Sequence, residues 1–249
     1  MRLNLIIMQN NLKLVLLIIA IASPCRAYED RFDTPTSNWQ RASLLDLGAA
    51  DWSISGGTLN FTTYGSLNSE DQVHIKYQTP FSNSQDWSFK IGMNNSSTAQ
   101  LQVFVGNSNF SDFFGVTLKG YDDGSKIWGA EFPGHQYWVP PTGITATASQ
   151  QGSIKVDYSA STGVYSLFYT NGGIDPISNT YSWTLLNSYT TPERGNVNLY
   201  VGFNISYTSE VVTPSKAYVD NFTSVPEPSA LSLFSIGLSG LAILRRRRS

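Results

Sequence analysis

The side chains of this chain best suited to holding a ligand crowd into one stretch, "KIWGAEFPGHQYWVPPTG", residues 126–143. Trp128, Phe132, His135, Tyr137 and Trp138 fall within eleven residues there, among three prolines and three glycines. Aromatic rings on stiff loops are good platforms for pyranose rings, whose flat C–H faces stack on them while neighbouring polar groups bond the hydroxyls. The same pattern also suits aromatics that close the open end of a core, so both readings stand. Catalytic patterns are missing. Glycoside hydrolysis needs two carboxylates flanking the scissile bond, whereas Glu131 stands alone in "GAEFPG" and Asp122 and Asp123 sit in a turn sequence. His74 and His135 are 61 residues apart without a local partner, and "GLSGL" fails the spacing and context of a nucleophile elbow. No catalytic residue is assigned, and an enzyme is not expected.

Metal chemistry has one weak candidate. "GYDDGSK" bunches Asp122, Asp123 and Ser125 around Gly124, oxygen donors of the type calcium takes. Asp-Gly equally supplies the positive φ of a tight hairpin turn. Asp30, Asp33 and Asp220 are further possible calcium ligands; no other metal or cofactor is expected. The lone cysteine, Cys25, lies near the N-terminus, so the body has no disulfide, thiolate nucleophile or Cys-built metal site.

The elements that must position these residues are strands. From Tyr28 to Val225 the apolar residues alternate with a period of two. "QVHIKYQ" sets Val73, Ile75 and Tyr77 on one face, and "WSFKIGM" does so with Trp87, Phe89, Ile91 and Met93. "LQVFVG" repeats it with Leu101, Val103 and Val105, and "VNLYVGFNISY" with Leu199, Val201, Phe203, Ile205 and Tyr207. The turn clusters "SGG", "DDGS", "SASTG" and "TNGG" separate the runs, and no stretch carries a capped 3.6-residue period. About eleven to thirteen strands, packed as two antiparallel sheets, are expected over residues 28–224 as a single domain. "VPPTG" reads as a loop and not a linker.

"RFDTPTSNWQ" followed by "ADWSISGGTLNFTT" resembles the opening of concanavalin-A-like jelly rolls of the laminin-G and legume-lectin type. "IKVDYSASTGVYSLFYT" resembles the long hairpin of that family, and "KAYVDNFTSV" its closing strand, which pairs back near the N-terminus. The resemblance implies a large β-sandwich. Glycosidases of this fold place their carboxylates on one strand as Glu-x-Asp-x-x-Glu or Glu-x-Asp-x-Glu, and neither pattern occurs here.

The two ends differ from the body. Residues 1–27, with Arg2 and Lys13 before an apolar core from Leu14 to Ala22 and a small Ala27 at the cut position, have the layout of a signal peptide; a retained N-terminal anchor is the alternative. At the other end, "VPEPSALSLFSIGLSGLAILRRRRS" joins Pro226-Glu227-Pro228, fifteen residues from Ala230 to Leu244, and the basic run Arg245, Arg246, Arg247 and Arg248. As a helix those fifteen residues reach about 22 Å, short of a hydrocarbon core of about 30 Å. The arginines hold the terminus on the cytoplasmic side. The tripartite pattern resembles the PEP-CTERM sorting domain, with Pro226, Glu227 and Pro228 as its tripeptide. That resemblance implies a Gram-negative bacterium, a transient inner-membrane anchor, an exosortase and secretion machinery as partners, and delivery to the cell surface or an exopolysaccharide matrix. Whether the tail is removed or kept as a plain transmembrane anchor is left open.

Charge narrows the partners. Nine Lys/Arg against seventeen Asp/Glu leave residues 28–225 at −8, which excludes nucleic acid. The expectation is an exported, non-catalytic carbohydrate-binding sandwich with polysaccharide as a partner. A matrix or adhesion protein without a glycan site is the first alternative, and a polysaccharide hydrolase or lyase the second.

Overall fold

The computed structural model describes residues 28–34, 38–42, 50–63, 71–97, 99–108, 111–120, 126–133, 145–147, 149–205 and 215–226. Sixteen strands run through them: β1 (Tyr28–Asp30), β2 (Trp39–Arg41), β3 (Asp51–Ser55), β4 (Thr58–Thr63), β5 (Asp71–Tyr77), β6 (Phe81–Ser82), β7 (Trp87–Asn95) and β8 (Gln100–Gly106). There follow β9 (Phe113–Gly120), β10 (Lys126–Glu131), β11 (Thr145–Thr147), β12 (Gln151–Ser159), β13 (Val164–Thr170), β14 (Thr184–Thr190), β15 (Asn196–Ile205) and β16 (Ser215–Pro226). The count exceeds the expected eleven to thirteen because β1, β2, β6 and β11 are two or three residues long, too short to show an alternation. No helix occurs among the described residues.

The strands form two sheets. The first has the order β14-β13-β12-β7-β16-β4-β3, with β1 added to β16; the second has β11-β10-β9-β8-β15-β5-β2, with β6 added to β15. The registered pairs are antiparallel. Ala27–Val225 forms one compact unit. The fold is the all-β, concanavalin-A-like jelly roll that the sequence motifs resemble. Its long hairpin is β12–β13, and its closing strand β16 returns to β1 through Tyr28↔Ser224, Glu29↔Thr223 and Asp30↔Phe222. "SGG" closes β3–β4 with Gly56 and Gly57 at φ of 62° and 77°, a backbone that side-chain-bearing residues rarely adopt.

Between the sheets lies one apolar core, and the inward parity of every long strand feeds it. Trp87, Phe89, Ile91 and Met93 enter from the first sheet, and Leu101, Val103 and Val105 from the second. Trp87 stacks on Phe81 at 4.7 Å and on Tyr158 at 5.4 Å, and Phe114 lies parallel to Tyr165 at 5.7 Å. Each such ring contributes about 1.5–3 kcal/mol by leaving water. Polar pins set the separation of the layers. Asn83 donates to the Tyr165 hydroxyl at 2.8 Å and accepts from Trp87 Nε1 at 3.1 Å. Buried Asp112 accepts from the hydroxyls of Tyr189, at 2.6 Å, and Thr191.

Candidate functional site

In the second sheet, the parity that does not enter the core builds a second face. One row across it runs Thr117, Gln102, Gly202, His74 in direct register. The next runs Glu131, Gly115, Phe104, Tyr200, Lys76. Gln100, paired with Lys119, lies one row beyond. His74, Gln100, Gln102, Phe104, Thr117 and Tyr200 are all buried, yet none belongs to the core between the sheets.

Glycines fix the relief of this face. A Cβ on Gly202 would stand 2.2 Å from His74 Cδ2, so the imidazole lies flat against bare backbone. Likewise a Cβ on Gly115 would meet Phe104 Cβ at 2.2 Å. The rings interlock: Phe104 stacks on Tyr200 at 5.2 Å and 15°, with His74 edge-on to Phe104 at 5.8 Å. Burial pushes the Tyr200 hydroxyl above its ordinary pKa.

Beside the rings lies a polar group of three. Glu131 accepts from the Thr117 hydroxyl through Oε1 and from Gln102 Nε2 through Oε2 at 3.2 Å. Burial pushes the Glu131 carboxyl above the usual carboxylate range, against the opposing pull of those two hydrogen bonds and of Lys119. The bond from Gln102 Nε2 fixes the amide's orientation and turns its Oε1 away from Glu131. That oxygen and Gln100 Oε1 are buried without a hydrogen-bond partner among the described residues. A buried acceptor left unmet costs about 1–3 kcal/mol, so a ligand that donates two hydrogen bonds here recovers that cost. Hydroxyl groups have the right chemistry.

The aromatic stretch singled out in the sequence is divided by β10. Alternation turns Trp128 and Ala130 inward and Glu131 outward. Trp128 is 0% exposed, donates from Nε1 to Asn171 Oδ1 at 2.9 Å, and rests beside Tyr169 at 6.0 Å. As a glycan platform it is therefore corrected to a core residue: no face of its indole reaches the surface. Phe132 packs on the core through Tyr189, at 5.5 Å, and Phe114, at 6.5 Å. His135, Tyr137 and Trp138 lie outside the described residues, as do the calcium candidates Asp122 and Asp123. Asp30 is a buried latch, accepting from the Phe32 amide at 2.8 Å, Trp39 Nε1 at 3.0 Å and the Tyr28 hydroxyl at 3.1 Å. Asp220 has Asp33, Asp175 and Arg31 near it, and burial pushes its carboxyl up. Among the described residues no three His, Cys, Asp or Glu side chains gather as a metal site. Pro226 ends β16, while Glu227, Pro228, Ala230, Leu244 and Arg245 to Arg248 lie outside the described residues.

Residues Gln100, Gln102, Phe104, Thr117 and Tyr200 were not picked out by the sequence, because nothing in their local spacing joins them. Glu131 and Gln102 are 29 residues apart in the chain. The usable signal was the outward parity of "QLQVFVG" and "VNLYVGF", which carries amides and aromatics where a solvent face would carry charges.

Residues 224–248 match the PEP-CTERM protein-sorting motif. No curated protein matches the chain. Among solved structures, a Bacillus licheniformis β-glucanase superposes with a TM-score of 0.52 at 13% identity, over 81% of this chain and 98% of its own. Lectin I-B4 from Griffonia simplicifolia gives 0.51 at 9%, over 82% and 100%. The transglycosylase Crh5 in complex with NAG gives 0.55 at 11%, over 81% and 84%. At these identities the likeness is one of fold.

Proposed function

We propose that this exported jelly roll, carried to the cell surface by its PEP-CTERM tail, is a non-catalytic glycan-binding module whose ligand lies on the outer face of the second sheet. The observation that carries the reading is the pair of buried, unmet acceptors, Gln100 Oε1 and Gln102 Oε1, beside the Phe104–Tyr200 stack. Phe104 and Tyr200 are 8% and 4% exposed, so the reading requires this face to open for its ligand. Once it is open, rings to pack against sugar C–H groups and amide oxygens to take hydroxyl protons are the two halves of a sugar site. Sorting by an exosortase and delivery to a polysaccharide-rich surface put such a face where glycans are abundant.

A binding role is favoured over hydrolysis because the face holds one carboxylate among the described residues. Glu131 has the raised pKa of a general acid, but cleavage of a glycosidic bond needs a second carboxylate about 5–10 Å away. The test offers the mature protein a panel of neutral and acidic polysaccharides and follows both retention and the release of reducing ends. Retention without release is expected. Release that disappears in Glu131→Gln would replace the binding reading with an enzymatic one.

A further inference from the structure

The last strand of the body and the sorting motif share residues. β16 runs to Pro226, and the matched motif begins at residue 224. Sequence before the motif is therefore not a linker but sheet: Phe222, Thr223 and Ser224 pair with Asp30, Glu29 and Tyr28. Ser224 and Thr223 are buried, and Phe222 is fully so. Only Val225 separates the final registered pair from Pro226.

β16 changes partner along its length. Ser215–Val219 pair with β4, and Phe222–Ser224 pair with β1. Between these two blocks Asn221 takes a left-handed φ of 53°, a conformation that asparagine tolerates better than most residues. Its amide donates to Ile174 O at 3.2 Å, and its Oδ1 accepts from Arg31 at 3.4 Å. The segment beyond Asn221 is thus a separate pairing block, registered on β1, in a strand that also has β7 as a neighbour in the sheet. Among the described residues β1 in turn pairs with no other strand. It is held in place by the Asp30 latch and by Tyr28, whose ring lies 6.0 Å from Phe222 and 5.3 Å from Tyr77.

A peptidase reads its substrate as an extended strand whose backbone edge is free to pair, the logic of strand addition. Here that edge is already taken. We propose that β1 is a substrate-side gatekeeper of tail processing: it occupies the recognition edge of Phe222–Ser224, so the tail is processed only while the β1–β16 ladder is open. Release of these three pairs is a local opening at a sheet end that uncovers Phe222 and the Asp30 latch while the rest of the sheet stays paired.

The proposal rests on the tail being removed, and the experiment separates the two. Tyr28 and Ser224 face each other directly, and opposed residues of an antiparallel pair lie about 4.5–5.5 Å apart at Cα, within reach of a disulfide. The full-length Tyr28→Cys/Ser224→Cys chain, with Cys25→Ser to leave no competing thiol, is expressed in a host carrying its sorting machinery. Loss of the C-terminal tail is then followed by pulse-chase and intact mass. The oxidised form is expected to be processed at least tenfold more slowly than the same chain kept reduced, which controls for folding. An eight-residue Gly/Ser spacer between Val225 and Pro226 is expected to restore the rate of the oxidised form to within twofold of the reduced one. Equal rates for the oxidised and reduced forms without the spacer would overturn the gatekeeper. A native chain that keeps its tail at the surface overturns the processing premise, and with it the proposal.

Discussion

Gly202→Ala probes the outer face at the point where its shape depends on a missing atom. The added Cβ would stand 2.2 Å from His74 Cδ2 and 2.3 Å from Nε2. Ordinary carbon contacts begin near 3.5 Å, so the imidazole must retreat by about 1.2 Å or more. Its retreat is blocked by Phe104, edge-on at 5.8 Å, which is itself stacked on Tyr200. Overpacking of this kind costs about 1–3 kcal/mol. Replacing a strand glycine returns about 0.5–1 kcal/mol of backbone entropy. The net loss is then about 0–2.5 kcal/mol, or a fall of up to about 10 °C in Tm for a body of this size at 2–4 °C per kcal/mol, so the coupling to His74 decides the matter. Urea unfolding followed by tryptophan fluorescence gives the number. The double variant His74→Ala/Gly202→Ala closes a cycle in which removing the ring removes the clash, so a coupling of about 1 kcal/mol or more is expected. A Gly202→Ala protein as stable as the native one, with no coupling to His74, would refute the packing described for this face.

Three further outcomes follow from the same contacts. Trp128→Ala empties a fully buried site and leaves Asn171 Oδ1 without its indole donor; a loss of about 3–5 kcal/mol is expected, measurable by thermal melting. Asp112→Ala strands the hydroxyls of Tyr189 and Thr191 and should cost about 2–3 kcal/mol on the same assay. Burial raises the Glu131 carboxyl in the folded state, so folding favours its protonated form. Its contribution is fully present below the unfolded value of about 4.3 and is lost as pH rises through the folded value. Glu131→Gln should therefore be more stable than the native protein at pH 7, the difference shrinking toward pH 4, as read from paired melting curves.

The long strands were legible because burial imposes a period of two on both halves of a sandwich. Val73 to Tyr77, Trp87 to Met93 and Leu101 to Val105 enter the core as their alternation indicates. The hairpin of β12 and β13 was legible from its turn residues, whereas the return of β16 to β1 was legible only through the resemblance of "KAYVDNFTSV" to the closing strand of concanavalin-A-like jelly rolls. The short strands β2, β6 and β11 were not, because two or three residues held by a neighbour carry no pattern of their own. The outer face escaped for a different reason. Thr117, Gln102, His74 and Glu131 meet only after five strands, β10, β9, β8, β15 and β5, are set in register, and parity alone does not say which face will be enclosed. Trp128 shows the limit from the other side: its place in sequence among Phe132, His135, Tyr137 and Trp138 suggested a ligand-facing loop, but its parity on β10 sends it inward.

The claim that this face binds sugar through unmet acceptors is tested most directly by calorimetric titration of Gln102→Leu with the glycan the native protein retains best. Leucine removes an Oε1 buried without a partner among the described residues but also the Nε2 donor to Glu131 Oε2. A net stability loss of no more than about 1–3 kcal/mol is therefore expected, and binding is compared at a temperature where both proteins are folded. The variant's affinity should fall at least tenfold, the equivalent of about 1.4 kcal/mol for one lost hydrogen bond to the ligand. Undiminished affinity in a stably folded Gln102→Leu protein would contradict the account.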